Sequence, residues 1–303
     1  MPRPSNSFTT LGGGVPVHYD RLPLAPYGSR GVPHTFFSTV AFEAKLDSCF
    51  EQLWELNPFG RAQVITSAGA WVNKPGFHGL GRAFDLDGIF WAEKSFVTLR
   101  DGFEGNDRRF YLAVEAVLRM HFGEVLNYNF NSAHRDHFHI SDVEPGFSQG
   151  RSTTVFFLQN ALTFVLGHTV GIDGEFGPQT NGALTAALGE LGIGGSLNNL
   201  NVYRQFLTAV ANRVFHPTPS PESAEEVAPM AESESRSVTE ATPEELLLAV
   251  YNVIDQELGC TSIKPIIEGA VNAFASHPDV QKLIAVSEAD DDSPVEPEEA
   301  ENP

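Results

Sequence analysis

The 303-residue sequence predicts an α+β protein: a small antiparallel sheet with flanking helices, then a small three-helix unit, then an acidic and mostly disordered C-terminal region. Three observations lead there. Amphipathic helical stretches and short β-branched stretches succeed one another without a regular βαβ alternation, which disfavours a doubly wound sheet. Near residue 150 the pattern turns mostly helical. The charge is also unevenly spread: of a net −20, residues 216–303 contribute 20 acidic and 3 basic residues, leaving 19 acidic and 16 basic for residues 1–215. The front of the chain is therefore close to neutral, and no stretch is basic enough to grip nucleic acid.

Residues 1–35, rich in Gly, Pro and Ser, read as an extended arm. A globular unit is expected over 36–148. Within it, Val40, Phe42, Leu46, Phe50, Leu53 and Leu56 recur at helical spacing and stop before Pro58. "AQVITSAGAWV" is short, β-branched and bounded by turn formers, hence a strand. "RRFYLAVEAVLRMHFG" predicts a second helix ending at Gly123, and "VLNYNF" a strand leading into "AHRDHFHI". Residues 152–215 are expected to form a separate helical unit. Residues 216–242 read as a disordered linker, 243–286 as a small helical segment, and 287–303 as an acidic, solvated tail. The two cysteines, Cys49 and Cys260, lie in no CxxC pair and read as unpaired thiols. No apolar run reaches the ~18 residues of a membrane span, and the N-terminus lacks the apolar core of a signal peptide.

The chemistry concentrates in two places. "HGLGRAFD" sets His78 seven residues before Asp85, with Gly79, Gly81 and Ala83 between them. Two ligands so spaced can share an ion only if the chain between them bends tightly and packs closely, and small residues permit both. "HRDHFHI" places His134, His137 and His139 at i, i+3 and i+5. On a strand, His137 and His139 would share one face while Phe138 and Ile140 face the core, and Asp136 would turn away from His137. His78, Asp85 and His139 would offer two nitrogens and one oxygen and leave a fourth position for water, the pattern of catalytic zinc. Asp87 reads as a cap or a supporting acceptor.

These motifs carry a resemblance. "HGLGRAFD" is similar to the H-x-x-G-x-A-x-D signature of zinc peptidases of the D-Ala-D-Ala carboxypeptidase and L-alanyl-D-glutamate endopeptidase group, and of the extensin-like C-terminal domain. "HRDHFH" resembles the second signature of that group, and the likeness covers roughly residues 36–147. It implies one Zn²⁺ held by His78, Asp85 and His139. His137 would be the base or transition-state stabiliser, Asp136 its close competitor, and His134 a further active-site histidine able to stabilise an oxyanion. Two positions depart from the group. Gly76 stands where many members have Ser, and "TSAGAWV" lacks the arginine that binds a substrate's terminal carboxylate. Arg82 or Arg135 are the candidate substitutes, and loss of that clamp favours an endopeptidase.

A second resemblance lies downstream. "VFFLQNALTFVLGHTVGIDGEFGPQTNGALTAAL" has Leu158, Leu162, Val165 and Leu166 on one helical stripe, with glycines allowing a tight turn before the next helix. It resembles the peptidoglycan-binding module, in which Asp173, Gly174, Phe176, Gly177 and Thr180 match the signature and chiefly shape the fold. Together the resemblances imply a peptidoglycan peptidase at the bacterial cell wall, extracellular or periplasmic, reached by a non-classical route. Residues 216–303 would be free to dock delivery machinery or a protein partner. The alternative is a wall-binding or assembly protein with a structural or degenerate zinc site.

Overall fold

The structure is a computed structural model, and it describes residues 2–21 and 23–217. The expected linker from residue 218 on, the segment 243–286, the tail 287–303 and Cys260 lie outside the described residues.

The α+β class holds, with a mixed sheet. Strands β1 (Ser7–Phe8), β2 (Thr10–Leu11), β3 (Val15–Tyr19), β4 (Val32–Pro33) and β5 (Phe36–Phe37) come from the segment expected as an arm and its immediate continuation. Helix α1 (Val40–Leu56) follows, capped by the Thr39 side chain, which accepts from the Phe42 N–H. Next come β6 (Val64–Gly69), the short helix α2 (Phe77–Leu80), β7 (Ala83–Phe90), β8 (Ser95–Val97), α3 (Arg108–His121), β9 (Glu124–Leu126) and β10 (Phe138–Ser141). The main sheet runs β2-β3-β6-β7-β10-β9, with β4 added on β3 and β8 on β7, while β1 and β5 pair separately.

Two expectations need correction here. Residues 1–35 are not a free arm. β3 pairs in parallel with β6, so the sheet is mixed rather than antiparallel, and Leu11, Val15 and Val17 are buried in the core. The Trp54 indole donates to the Gly12 carbonyl at 2.9 Å and ties α1 to the same segment. These few apolar residues sit among glycines and prolines, which breaks any visible period.

The second correction concerns residues 152–215. Their helices exist as α4 (Ser152–Asn160), continued by a π-helical turn at Ala161–Val165, then α5 (Pro178–Glu190) and α6 (Leu200–Phe215). They do not stand apart, because their buried side chains belong to the core that also holds α1, α3 and the sheet. The cause lies in α3, which buries every residue from Phe110 to Met120. A helix buried all round needs neighbours on every side. α6 supplies one of them: Phe215 packs edge-on to Phe110 at 5.4 Å, and Arg204 Nε donates to the Met120 carbonyl. Arg119, fully buried, pairs with Glu115 at 2.7 Å and donates to the Thr153 carbonyl at 2.9 Å, pinning α4.

Strand parity positions the site. On β7, Phe84 packs edge-on against Phe50 of α1. On β10, Phe138 stacks on Tyr111 of α3 at 4.5 Å. Asp85, Asp87 and His139 therefore project from the opposite face of the sheet.

Candidate metal centre

β7 and β10 are antiparallel neighbours in a register that sets His139 directly opposite Asp85. His78 arrives from α2, a single turn closed by Gly81 in the left-handed region at φ 67°, where a side chain is strained. A Cβ on Gly81 would also come within 2.5 Å of the Pro4 ring. The expected tight bend is thus real, although it is a helical turn running straight into the central strand.

Three ligand atoms converge. His78 Nε2 lies 3.2 Å from Asp85 Oδ1 and 3.0 Å from His139 Nδ1, and His139 Nδ1 lies 2.9 Å from Asp85 Oδ1. His78, Asp85 and His139 form the one group among the described residues able to hold a metal ion in this way. Tetrahedral zinc with bonds of about 2.1 Å sets its ligand atoms about 3.4 Å apart. The triangle thus fits such an ion after a small outward movement.

The tautomers fit as well. His78 Nδ1–H donates a hydrogen bond to the Ala70 carbonyl, which leaves the Nε2 lone pair facing inward. On His139 the roles are exchanged: Nε2 lies 2.9 Å from the buried Ser141 hydroxyl, so Nδ1 faces the triangle. Burial opposes ionisation of Asp85, but when those inward nitrogens carry protons instead, hydrogen bonds from His139 and His78 outweigh it and hold the carboxyl well below the ordinary carboxylate range, and a bound cation would take the place of those protons. Two imidazole lone pairs and a carboxylate oxygen make a donor set suited to zinc.

The neighbouring groups are arranged differently from the strand expectation. β10 begins only at Phe138, and a 3₁₀ turn at Ser132–His134 precedes it. Asp136 is therefore free of strand parity, and its Oδ1 lies 2.8 Å from His137 Nδ1 instead of turning away. The two act as a pair. His137 Nε2 points inward, 3.7 Å from Asp85 Oδ1. Burial works against Asp136 ionising, yet hydrogen bonds from His137 and Tyr27 bring its pKa down to about 2.

His134 lies beside them, its ring 5.2 Å from that of His137 and 5.7 Å from that of His139. Burial, reinforced by His137 and His139, lowers its pKa to about 4. Asn131 Oδ1 already accepts from the Ala133 N–H and lies 2.7 Å from His134 Nδ1, so that nitrogen carries the proton. Neutral His134 then presents a lone pair at Nε2. It lies beside His137 and His139 but lacks the donor that an oxyanion role requires.

The two candidate clamp arginines are placed differently. Arg82 is spent on Asp142, donating to its side chain at 3.0 Å and to its carbonyl at 3.1 Å. Arg135 is exposed. The cation that does reach the site is Arg21, just past β3: its Nη2 lies 3.2 Å from His137 Nδ1 and 3.8 Å from both Asp87 and Asp136. No motif marks it, because it comes from far upstream. Asp87, 2 % exposed, is the buried carboxyl beneath it; burial raises its pKa well above the usual range, and the Arg21 charge works against that rise. Ser141 was also missed. Its only signal is the alternation His139–Ile140–Ser141.

In the downstream loop, Gln159 is the organiser. Its side-chain oxygen accepts from the Asp173 and Gly174 N–H groups, and its amide donates to Asp173, to the Glu175 carbonyl and to Thr180. Gly174 has φ 75°, and a Cβ there would meet the Phe156 ring at 2.7 Å. Phe176 packs edge-on to Phe147 at 5.8 Å, and Gly177 is the N-cap of α5. These signature residues build the turn.

Residues 44–149 match the family described as the extensin-like protein C-terminus. No curated protein and no solved structure matches the chain. The matched span contains His78, Asp85, Asp136, His137 and His139. It contains neither Arg21 nor the turn around Asp173.

Proposed function

We propose that the chain is a zinc-dependent peptidase acting on peptidoglycan peptides, an endopeptidase rather than a carboxypeptidase. The observation that carries this is the convergence of His78 Nε2, Asp85 Oδ1 and His139 Nδ1 within 3.2 Å of one another, both histidines held by their far nitrogens. A zinc ion there would polarise the scissile carbonyl and acidify water. The protein's own residues handle the proton. With Asp136 accepting from Nδ1, the Nε2 of His137 faces the metal position as a base, takes the water proton and returns it to the leaving amine. Asp136 orients the ring and stabilises its charged form. Arg82 is engaged by Asp142 rather than held ready for a chain terminus, which supports cleavage within a peptide. The turn organised by Gln159 resembles a wall-binding module, and tethering of this kind raises the local concentration of scissile bonds. The wall itself is the site of action on this reading.

Purified wall sacculi incubated with the zinc-loaded full chain should release new amino termini, and a chelator or His78→Ala should abolish the release. Mass spectrometry of the digested muropeptides would identify the bond cut. Zinc binding and wall adhesion without release would instead establish the non-catalytic wall-binding alternative.

A further inference from the structure

Two groups compete for one atom at this site. Asp136 Oδ1 lies 2.8 Å from His137 Nδ1, and Arg21 Nη2 lies 3.2 Å from the same nitrogen. In a neutral imidazole, Nδ1 either donates or accepts, so only one partner can hydrogen-bond it at a time. If Arg21 donates to Nδ1, the proton moves to Nε2 and an N–H faces the metal position. If Nδ1 donates to Asp136, a lone pair faces it. Asp136 is the nearer and can only accept while ionised.

We infer that Arg21 is a positioning residue that acts through Asp136: it holds that carboxylate as the acceptor for His137 and so selects the tautomer His137 presents to the metal centre. This rests on the peptidase reading. The geometry that supports it is the guanidinium's placement, 3.8 Å from Asp136 Oδ1 and 3.8 Å from Asp87 Oδ1. Asp87 is buried on β7 and draws Nη2 of the guanidinium electrostatically. The same Nη2 faces Asp136, which belongs to an irregular segment with no strand partner to hold it. Tyr27 reinforces the arrangement, its ring centroid lying 5.6 Å from the Arg21 guanidinium carbon. Arg21 and Tyr27 come from a segment that precedes the matched span at 44–149, whereas Asp87, Asp136 and His137 lie within it. The preceding segment has a cradle built for it. Buried Asp20 accepts from Ser29 at 3.0 Å across the base of the loop that carries Arg21 and Tyr27.

The test uses the full zinc-loaded chain with ¹⁵N-labelled histidine, the His137 signals being assigned by their loss in His137→Gln. In the parent protein, Nδ1 should show the protonated shift and Nε2 the lone-pair shift. Arg21→Gln should mix or reverse that pattern and lower kcat by about 10–100-fold, the usual cost of losing a supporting partner, with KM and zinc affinity within about threefold. Arg21→Lys, which keeps the charge without spanning both carboxylates, should recover part of both effects, and it replaces the Gln variant if that one fails to fold. An unchanged His137 pattern in Arg21→Gln would overturn the inference. A shifted pattern in a protein that releases nothing from sacculi would leave the inference standing and sink the peptidase reading instead.

Discussion

Replacing Ser141 with alanine probes the proposed metal centre without touching a candidate ligand. The Ser141 hydroxyl lies 2.9 Å from His139 Nε2 and is fully buried. With the hydroxyl gone, the Nε2 proton has no acceptor, and leaving such a group unpaired costs about 1–3 kcal/mol. The ring can escape that cost by moving its proton to Nδ1, where Asp85 Oδ1 waits at 2.9 Å. That tautomer satisfies the histidine but occupies the lone pair that a metal needs. Binding zinc must then reverse the shift. Loss of a supporting partner of this kind weakens metal affinity by about 10–100-fold, or about 1.4–2.7 kcal/mol. Competition against a chromophoric chelator at fixed pH measures the affinity of each protein, and circular dichroism verifies that both are folded. Zinc affinity within twofold of the parent would refute the claim that Ser141 selects the His139 tautomer.

Three further substitutions test the architecture. Arg119→Met breaks a fully buried ion pair and frees α4 from α3, so it should destabilise by about 3–5 kcal/mol in urea, still in one transition; two separate transitions would restore the idea of an independent helical unit. Gly81→Ala combines an unfavourable left-handed residue with a clash against Pro4, an expected loss of about 2–4 kcal/mol accompanied by weaker zinc binding, and an unchanged urea midpoint would contradict it. Burial lifts the Asp20 pKa from 3.8 to about 6, so the folded state holds its proton where the unfolded chain has lost it. Stability should therefore fall as pH rises from about 4 to 6, by at most about 3 kcal/mol. In Asp20→Asn that part of the slope should vanish, which a comparison of urea midpoints across pH would detect.

Much of the framework was legible because its elements announce themselves locally. α1 and α3 carry strong helical periods with stops at Asn57 and Phe122, and β6 is a β-branched stretch between turn formers. β7 escaped notice although it is the central strand, because Asp85 and Asp87 interrupt its apolar pattern and carboxylates are unfavourable strand residues. The site needs them there, so the local rule yields to the chemistry. The same conflict hid the Asp136–His137 pair, since strand parity was extended two residues too far back from Phe138.

The amino-acid order alone singled out the candidate ligands, because short spacings and residue types restrict which donors can meet: His78 and Asp85 bracket one bend, and His139 alternates with core residues on one strand. Tertiary structure decided the rest. It brought Arg21 beside His137 across 116 positions, spent Arg82 on Asp142, and merged residues 152–215 into one core with α3. The physical reason is range. Backbone periodicity and turn chemistry act over a few neighbouring residues, whereas charge pairing and burial are settled only by which surfaces the folded chain presses together.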